Sequence, residues 1–237
     1  MLRSLVLLLF SLSVHMTTAQ TLQLAGLRYL HKSPAVKNNH APLLILLHGF
    51  GSNEQDLFGL APHLPAGYRI LSVQAPVALG QGAYAWYKLD MSTGKTVYDK
   101  KEAEQARLQL LRFIDSAKVK YSATQVHLLG FSQGAIMSYS VALTQPQKVN
   151  SITALSGRIL EEIAAQVKPS PKLMQLQVFI GHGKNDQVLP LHYGQGAKEV
   201  CTRAQVKLTY QEYSMAHEIN QQELADIVKW LNAQLRK

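Results

Sequence analysis

Cysteine is almost absent from this chain of 237 residues, because Cys201 is the only one. A single cysteine excludes an intramolecular disulfide, so the buried apolar core alone must stabilise the folded chain. Cys201 lies in the helical pattern AKEVCTRA, where a buried structural thiol is expected rather than a nucleophile. Internal repeats, low-complexity tracts and flexible linkers are also missing. With 47% hydrophobic residues, the chain can form one domain with a sizeable core.

Clusters of basic residues are missing too, although the formal net charge is +9. The lysines and arginines are scattered, and their longest run is Lys100-Lys101. Nucleic-acid binding requires a clustered basic stripe or a recognisable module, so we expect no nucleic-acid partner. Loose attraction to an anionic envelope surface is one interpretation of the charge, and a solvated basic surface is the simpler one.

The apolar run near the N-terminus is too short to span a membrane. A spanning helix needs about 20 apolar residues, and the run from Leu5 to Val14 is about half that length. Arg3 precedes this run and Thr17-Thr18-Ala19 follow it, which is the pattern of a cleaved signal peptide. We therefore predict a signal peptide over residues 1–19, a single domain over residues 20–237, and export to the periplasm or secretion.

Short apolar runs alternate with helical patterns along the rest of the chain. APLLILLHG, YRILSVQAP, QVHLLG, SITALSG and LQVFIGHG are typical of strands buried on both faces. LQLAGLRYLH precedes them as one first strand, and VKLTYQEY follows them. Helices are predicted near residues 101–120 and at the C-terminus, because apolar residues recur on one face of each. The alternation predicts an α/β fold with a mostly parallel central sheet, helices on both faces and no large cap domain.

Ser132 stands between two glycines in GFSQGA, after the predicted strand VHLLG and before the helical run GAIMSYSVALTQ. A nucleophile elbow requires this strand-turn-helix context, although a turn serine without a chemical role is the simpler alternative. The N-terminus of the following helix would stabilise negative charge that develops near the serine. A serine hydroxyl is a weak nucleophile unless a base accepts its proton, so the interpretation depends on a histidine elsewhere.

Three histidines follow Ser132 in the chain. His217, between the last strand and the C-terminal helix, is the best placed to reach back over the sheet, whereas His182 and His192 fit structural roles. The base also needs a carboxylate that fixes its tautomer. Asp186, on the loop after LQVFI, is the only aspartate between Ser132 and His217, and the resulting order is that of α/β-hydrolases. A metal site of His182, Asp186 and His192 would have a spacing that matches no ligand pattern.

An oxyanion hole would also be needed beside the nucleophile. The backbone N–H of Gln133 is one expected donor, because this residue follows the serine. The loop LLHGFGSNEQDL supplies the second donor, the backbone N–H of Phe50. His48 precedes the nucleophile in the chain and is expected to brace this loop. The alternative interpretation of HGFG is a tight turn before a helix capped by Ser52 or Asn53.

Six motifs together carry a family resemblance: LHGFGSNEQDL, QAP followed by AYAWY, GFSQGA, LSG at 155–157, GKNDQVLP and AHEI. On these motifs, from about residue 40 to the C-terminus, the chain resembles the phospholipase/carboxylesterase family of α/β-hydrolases, which includes the acyl-protein thioesterases. The resemblance implies a serine esterase or thioesterase that needs no metal or cofactor. It places the catalytic triad on the serine, aspartate and histidine above, and the oxyanion donors on Phe50 and Gln133. One departure is Ala216, where the family usually has glycine.

The substrate is the least determined property. Residues 74–99 form a long connection, with a hairpin predicted near Thr93-Gly94, and long loops in compact domains tend to carry function. Tyr84, Trp86 and Tyr87 in this connection either wall an acyl pocket or cover the sheet edge. Without a cap domain the site is expected to accept small-molecule carboxylic esters with short or medium acyl chains. Thioesters, lysophospholipids, acylated polysaccharides, lactones and peptides are alternative substrates, and a non-catalytic envelope-binding protein is the alternative outside the enzymes.

Overall fold

The computed structural model describes residues 21–236, apart from residues 91 and 93–95. The predicted signal peptide and the predicted hairpin turn at Thr93-Gly94 lie outside the described residues. Within the described ranges, no helix combines the length and the apolar character that are needed to cross a membrane.

Strands and helices alternate along the described chain. The strands are β1 (Leu22–Leu24), β2 (Leu27–Lys32), β3 (Leu43–Leu47), β4 (Arg69–Val73), β5 (Val77–Gly80), β6 (Ala83–Ala85), β7 (Val126–Phe131), β8 (Ser151–Leu155), β9 (Gln177–Gly183) and β10 (Lys207–Tyr213). The α-helices are α1 (Glu54–Phe58), α2 (Lys100–Lys120), α3 (Gln133–Thr144), α4 (Glu161–Ala164), α5 (His192–Arg203) and α6 (Gln221–Gln234). The two helices predicted from apolar periodicity correspond to α2 and α6.

The central sheet has eight strands in the order β1-β2-β4-β3-β7-β8-β9-β10. The strands from β4 to β10 in this order run parallel, and β1 and β2 are antiparallel at one edge. A separate antiparallel pair is formed by β5 and β6. The predicted α/β-hydrolase fold with a mostly parallel sheet is confirmed, and the described part of the chain contains no inserted cap domain.

Apolar side chains of the central strands pack into two cores, one on each face of the sheet. In β3, Leu43, Ile45 and Leu47 belong to the core under α2, α3 and α5. Leu44 and Leu46 belong to the core under α1 and α6. All five side chains are fully buried, since helices cover both faces of the sheet. This burial explains why the run is continuously apolar, and it confirms the prediction of helices on both faces.

The predicted first strand is divided into two, so that prediction was wrong in detail. A two-residue turn at Ala25 and Gly26 separates β1 from β2, and the two strands then pair antiparallel with Leu22 opposite Tyr29. Both turn residues have positive φ, 49° and 78°, as in the turns that close tight hairpins. Only the glycine signalled this turn, because alanine rarely adopts positive φ.

Cys201 lies on α5 and is fully buried. Burial raises the pKa of its thiol to about 12, because the apolar surroundings disfavour the thiolate. The thiol is therefore a core side chain, as its helical pattern predicted.

Candidate active site

Ser132 occupies the sharp turn between β7 and α3, with φ 53° and ψ −116°. Positive φ is unfavourable for a residue with a Cβ and persists only where the surroundings impose it. A Cβ on Gly130 would lie 2.3 Å from the carbonyl oxygen of Gly134, and a Cβ on Gly134 would lie 1.9 Å from that of Leu47. Helix α3 therefore approaches the end of β7 at Gly130 and the end of β3 at Gly134 too closely for a side chain at either glycine position. This contact is the physical reason for the G-x-S-x-G spacing.

The side chains of Ser132, His217 and Asp186 form one hydrogen-bonded row. The Nε2 atom of His217 lies 2.9 Å from Ser132 Oγ, and its Nδ1 atom lies 2.7 Å from Asp186 Oδ2. Asp186 Oδ1 accepts hydrogen bonds from the backbone N–H groups of Val188 at 2.9 Å and Leu189 at 2.8 Å. The carboxylate is thus held in one orientation, with its side chain fully buried. In this arrangement Nδ1 donates to the aspartate, which leaves Nε2 free to accept the serine proton.

The loops that carry Asp186 and His217 are adjacent because β9 and β10 are parallel neighbours that end together, with Gly183 opposite Tyr213. The backbone N–H of Lys184 donates to the carbonyl oxygen of Tyr213 at 2.8 Å, which continues the pairing into the loops. The prediction that Asp186 and His217 lie together required β9 and β10 to be adjacent in the sheet. No local sequence pattern encodes this adjacency.

Ala216, where the resembling family usually has glycine, fits the loop before His217. Its side chain is exposed, and it is not among the described residues with positive φ. The position that cannot hold a side chain is Gly183, which faces Ala216, because a Cβ on Gly183 would lie 2.3 Å from the carbonyl oxygen of Ala216. Alanine is therefore accommodated without displacing the histidine.

His182 and His192 lie near the row but outside it. His182 is fully buried, and its Nε2–H donates to the carbonyl oxygen of Leu189 at 2.7 Å, while the same nitrogen lies 3.6 Å from Asp186 Oδ2. Burial lowers the pKa of His182, so the ring is neutral and supports the aspartate loop. His192 opens α5 and stacks near the ring of Tyr193. Across the described ranges, no group of three or more histidine, cysteine, aspartate or glutamate side chains is arranged to hold a metal ion.

The two expected oxyanion donors, Phe50 and Gln133, line the same cavity as Ser132. Phe50 lies on the loop after β3, which approaches the serine so closely that a Cβ on Gly49 would be 3.3 Å from Ser132 Cβ. Gln133 is the first residue of α3, where a backbone N–H has no partner within the helix. The Asn53 side chain caps α1 by accepting from the backbone N–H of Gln55 at 2.9 Å, so HGFG does precede a capped helix, as in the alternative interpretation.

His48 braces the loop after β3, as expected from its position. Its Nε2 accepts from the backbone N–H of Ala75 at 3.0 Å, so Nδ1 carries the hydrogen and donates to the carbonyl oxygen of Gly49 at 2.7 Å. The carbonyl oxygen of His48 accepts from Trp86 Nε1 at 3.0 Å. Burial lowers the pKa of His48, which keeps the ring neutral and able to accept.

The side chain of Gln133 is a structural link that the sequence did not reveal. Its Oε1 accepts from the backbone N–H of Trp86 at 2.8 Å, and its Nε2 donates to the carbonyl oxygen of Tyr87 at 2.8 Å. The amide is buried, so both bonds form away from water. Gln133 thereby joins the start of α3 to the connection between β6 and α2. A polar residue directly inside a buried helix was the only sign of this role.

A cavity of about 680 Å³ opens beside Ser132 and His217. Of the three aromatic residues proposed for its wall, Tyr87 lies in the lining, but Trp86 and Tyr84 do not. Trp86 is fully buried against the loop after β3, and Tyr84 lies in β6, where its backbone pairs with Ser52. The prediction was therefore wrong for Trp86 and Tyr84, because backbone pairing and burial turn them away from the cavity.

The sequence missed most of the cavity wall. Apolar side chains supply part of it, and these are Leu89, Ile136, Val188, Leu189 and Pro190. Arg158, His192 and Tyr193 add polar groups. Arg158 comes directly after the LSG motif at 155–157, which was the one sign that this residue lies near the site.

The structure has a mostly parallel sheet, a serine on a strained turn, and an aspartate and a histidine that form a hydrogen-bonded row with this serine. These features define a hydrolase of the α/β class. A family model gives the narrower assignment, because the phospholipase/carboxylesterase model matches residues 33–235. The chain belongs to this family. It is accordingly an esterase or thioesterase that hydrolyses ester bonds.

Individual relatives agree with this assignment. Acyl-protein thioesterase 1 of Kluyveromyces lactis is 26% identical over 230 residues, which cover 90% of this chain and 99% of that protein. The crystal structure of esterase PE8 is similar with a TM-score of 0.77 and 26% identity, and covers 87% of this chain and 98% of its own. The Bacillus cereus carboxylesterase has a TM-score of 0.75 with 21% identity over 87% of this chain and 94% of its own, which shows the shared fold.

Proposed function

We propose that the protein is a serine carboxylesterase that hydrolyses carboxylic esters with short or medium acyl chains through an acyl-enzyme on Ser132. The hydrogen-bonded row of Ser132, His217 and Asp186, with its serine at the wall of a cavity, carries this proposal. The cavity volume of about 680 Å³ is in the range of small-molecule sites.

The first stage forms the acyl-enzyme. His217 Nε2 accepts the proton of Ser132 Oγ while this oxygen attacks the ester carbonyl carbon, and Asp186 stabilises the resulting imidazolium through Nδ1–H. The carbonyl oxygen becomes an oxyanion, which accepts hydrogen bonds from the backbone N–H groups of Phe50 and Gln133. The carbon–oxygen bond to the alcohol then breaks, and the alcohol leaves with the proton from His217.

The second stage releases the acid. Water gives a proton to His217 Nε2 and attacks the acyl carbon, and the same two N–H groups hold the second oxyanion. The bond to Ser132 Oγ breaks, and the serine recovers its proton from the histidine. No step requires a metal or an organic cofactor, because the row supplies the base, the nucleophile and the acid.

Replacing the nucleophile tests the proposal most directly. We expect Ser132→Ala to lower ester turnover by several orders of magnitude, roughly 10⁴-fold or more, because the acyl-enzyme cannot form. Turnover of 4-nitrophenyl butyrate by the purified proteins measures this, together with labelling by a fluorophosphonate. The matched control is Ser140→Ala, which removes a buried hydroxyl of α3 that donates to the carbonyl oxygen of Ile136 at 2.8 Å. Near-normal hydrolysis by Ser132→Ala would overturn the proposal.

Thioester hydrolysis is the second candidate, since the Kluyveromyces lactis relative is an acyl-protein thioesterase. Thioesters have the same acyl carbon, so the row and the two backbone donors would act on them without change. Assaying matched oxygen esters and thioesters, with a lysophospholipid, an acylated polysaccharide, a lactone and an aminoacyl amide beside them, ranks the candidates by kcat/KM. A thioester preference of more than about tenfold would make the thioesterase the better description.

We also propose that residues 1–19 direct export and are cleaved after Ala19. The pattern of Arg3, the apolar run and the small residues before the cut supports this. N-terminal sequencing of the protein recovered from cell fractions tests it, and a protein that retains Met1 would contradict it. Loose association with an anionic envelope, proposed from the net charge of +9, would be seen as release from membranes by salt.

A further inference from the structure

Arg158 places a cation on the wall of the candidate active site. It lines the same cavity as Ser132 and His217. Its guanidinium carbon lies 5.6 Å from the ring centre of Tyr98 and 5.5 Å from that of Tyr193. Contact with two aromatic rings holds a planar guanidinium in place through cation–π attraction while its N–H donors stay available.

The backbone that carries Arg158 is tied closely to the nucleophile. The backbone N–H of Ser132 donates to the carbonyl oxygen of Leu155 at 2.9 Å. Ser156 has positive φ, 46°, and a Cβ on Gly157 would lie 2.5 Å from Ala135 Cβ. The chain between β8 and Arg158 is thus packed against the first turn of α3. The position of the guanidinium relative to the serine is therefore built into the fold.

No carboxylate among the described residues forms an ion pair with Arg158. Glu162, the acid on the neighbouring helix, accepts hydrogen bonds from Tyr98 at 2.9 Å and 3.0 Å and lies 3.8 Å from Lys100 Nζ. Asp56 is the one carboxylate among the described residues of the cavity wall, and it accepts from Ser52 Oγ at 2.7 Å. A guanidinium that faces a partly apolar cavity without an anion has its charge only partly compensated.

A second feature of the wall also favours an anion. The first turn of α5 lines the cavity through His192 and Tyr193, and Pro190 lines it from the loop just before the helix. This helix has no acidic residue in its first turn and no side chain that caps its N-terminus. The N-terminal end of a helix of this length carries a partial positive charge, which adds to that of Arg158.

We propose that Arg158 binds a carboxylate of the substrate, so that the preferred ester carries one free carboxyl group at a distance from the ester bond. One unpaired guanidinium matches the single charge of a carboxylate, and its fork of N–H donors accommodates the two oxygens. This inference rests on the proposed function, since it names the substrate class for the same site. Arg158 then acts as a specificity residue that does not take part in bond breaking.

Matched esters test the inference. On the acyl side, the 4-nitrophenyl ester of adipic acid with a free carboxyl group is compared with its methyl-capped counterpart. On the alcohol side, 6-(butyryloxy)hexanoate is compared with its methyl ester. For at least one pair we expect the wild type to prefer the carboxylate in kcat/KM by roughly ten- to a hundredfold. Arg158→Gln should remove this preference, mainly by raising KM for the carboxylate esters, so that kcat/KM falls by a much larger factor for these esters than for the capped ones.

Two further variants distinguish the charge at position 158 from the geometry of the guanidinium and from the net charge of the whole protein. Arg158→Lys keeps the charge and should retain only part of the preference, because it loses the planar fork. Arg28→Gln changes the net charge equally at an exposed position of β2 and should leave the preference intact. The inference would be overturned if Arg158→Gln kept the wild-type ratio of kcat/KM between carboxylate and capped esters, which includes an equal loss of kcat/KM on both. Arg158 would then have a packing role only.

A binding measurement keeps this inference distinct from the proposed chemistry. In calorimetry, Ser132→Ala should bind monomethyl adipate at least about tenfold more tightly than dimethyl adipate. This difference in affinity should vanish in the double variant that also carries Arg158→Gln. If Ser132→Ala still hydrolyses the capped ester, the proposed function fails while carboxylate binding can persist. If hydrolysis depends on Ser132 but no carboxylate is preferred in any assay, the inference alone fails.

Discussion

Two clusters of tyrosine rings and basic side chains lie at opposite ends of the parallel strands, and they differ in how the charges are satisfied. At the amino end, Lys120 Nζ donates to Tyr29 Oη at 2.9 Å, and Arg69 Nη1 lies 2.8 Å from His31 Nε2. At the carboxyl end, Arg158 lies between two rings and has neither a hydrogen bond nor an ion pair with the described residues. The residue types are alike, but only the second cluster faces a cavity.

The amino-end cluster is joined by hydrogen bonds between its own side chains, although Arg69 Nε is buried without a partner among the described residues. Burial, reinforced by Arg69 and Lys120, lowers the pKa of His31, so the neutral ring accepts from Arg69. Tyr121 stacks on His31 with ring centres 5.3 Å apart and shares a hydrogen bond with Tyr29. The donors that are paired in this way stabilise the fold and are not available to a ligand. The comparison shows that residue type does not separate structural from functional clusters, whereas unsatisfied polar groups beside a cavity do.

Among the variants that test this difference between the two ends, Asp186→Asn at the carboxyl end is expected to have the largest effect, which is on kcat. Asparagine can keep an oxygen toward the backbone N–H groups of Val188 and Leu189, but its amide does not favour the required His217 tautomer. We expect kcat to fall by about 10⁴-fold, with little loss of stability, measured by ester turnover and urea unfolding. Asp115→Asn, which removes a surface ion pair with Lys148, is the control. A loss of less than about tenfold in kcat would contradict the role of Asp186.

A smaller effect is expected from Glu223, a second unsatisfied group of the carboxyl end. It is fully buried on α6, and both of its carboxyl oxygens lack a hydrogen-bond partner in the described chain. Its position depends on Gly181, because a Cβ there would lie 2.0 Å from Glu223 Oε1. Burial, with a contribution from Asp226, raises the pKa of Glu223 to about 8.

The raised pKa makes stability depend on pH. Between the unfolded pKa of about 4.3 and the folded pKa of about 8, the folded state holds a proton that the unfolded state releases. Stability is therefore lost as pH rises through this window, and the full penalty is present above it. Glu223→Gln should raise the free energy of unfolding by a few kcal/mol at pH 9 and change it little at pH 4.

Urea unfolding at several pH values measures this difference. Glu199→Gln, on an exposed position of α5, is the matched control and should follow the wild-type profile. If Glu223→Gln also kept the wild-type dependence on pH, then the Glu223 carboxyl group would not be the one that titrates.

The smallest effect is expected at the amino end. Lys120→Met removes a hydrogen bond and two cation–π contacts from an exposed position. We expect the free energy of unfolding to fall by less than about 1 kcal/mol, with unchanged kcat/KM for every ester. An effect on ester preference comparable with that of Arg158→Gln would remove the distinction between the two clusters.

Much of the fold and the choice of site residues were predictable from local patterns. Buried parallel strands are continuously apolar, so β3, β4, β7, β8 and β9 were recognisable as runs. The turn at Ser132 was recognisable because its two glycines are needed where α3 closely approaches the ends of β7 and β3. The chain order of serine, aspartate and histidine then limited the choice of partners.

Other features were not predictable, because they depend on contacts between distant segments. Nothing local to Gln133 shows that its side chain bonds to the backbone of Trp86 and Tyr87. The wrong placement of Tyr84 and Trp86 in the cavity has the same origin, since aromatic residues in a loop fit a pocket and a core equally well. Arg158 had one local sign, its position directly after the LSG motif at 155–157, and this sign did not show that its side chain lines the cavity of Ser132.

By itself, the sequence determined the order of the main strands and helices and the site of the tight turn at Ser132, because periodicity and steric limits act over a few residues. Only the tertiary structure decided which polar groups meet. The parallel ends of β9 and β10 bring Asp186 to His217, and the packing of the chain after β8 brings Arg158 to the cavity of Ser132. Hydrogen bonds and charges act over a few ångströms, so what each of these side chains can do depends on neighbours that the chain supplies from far along its length.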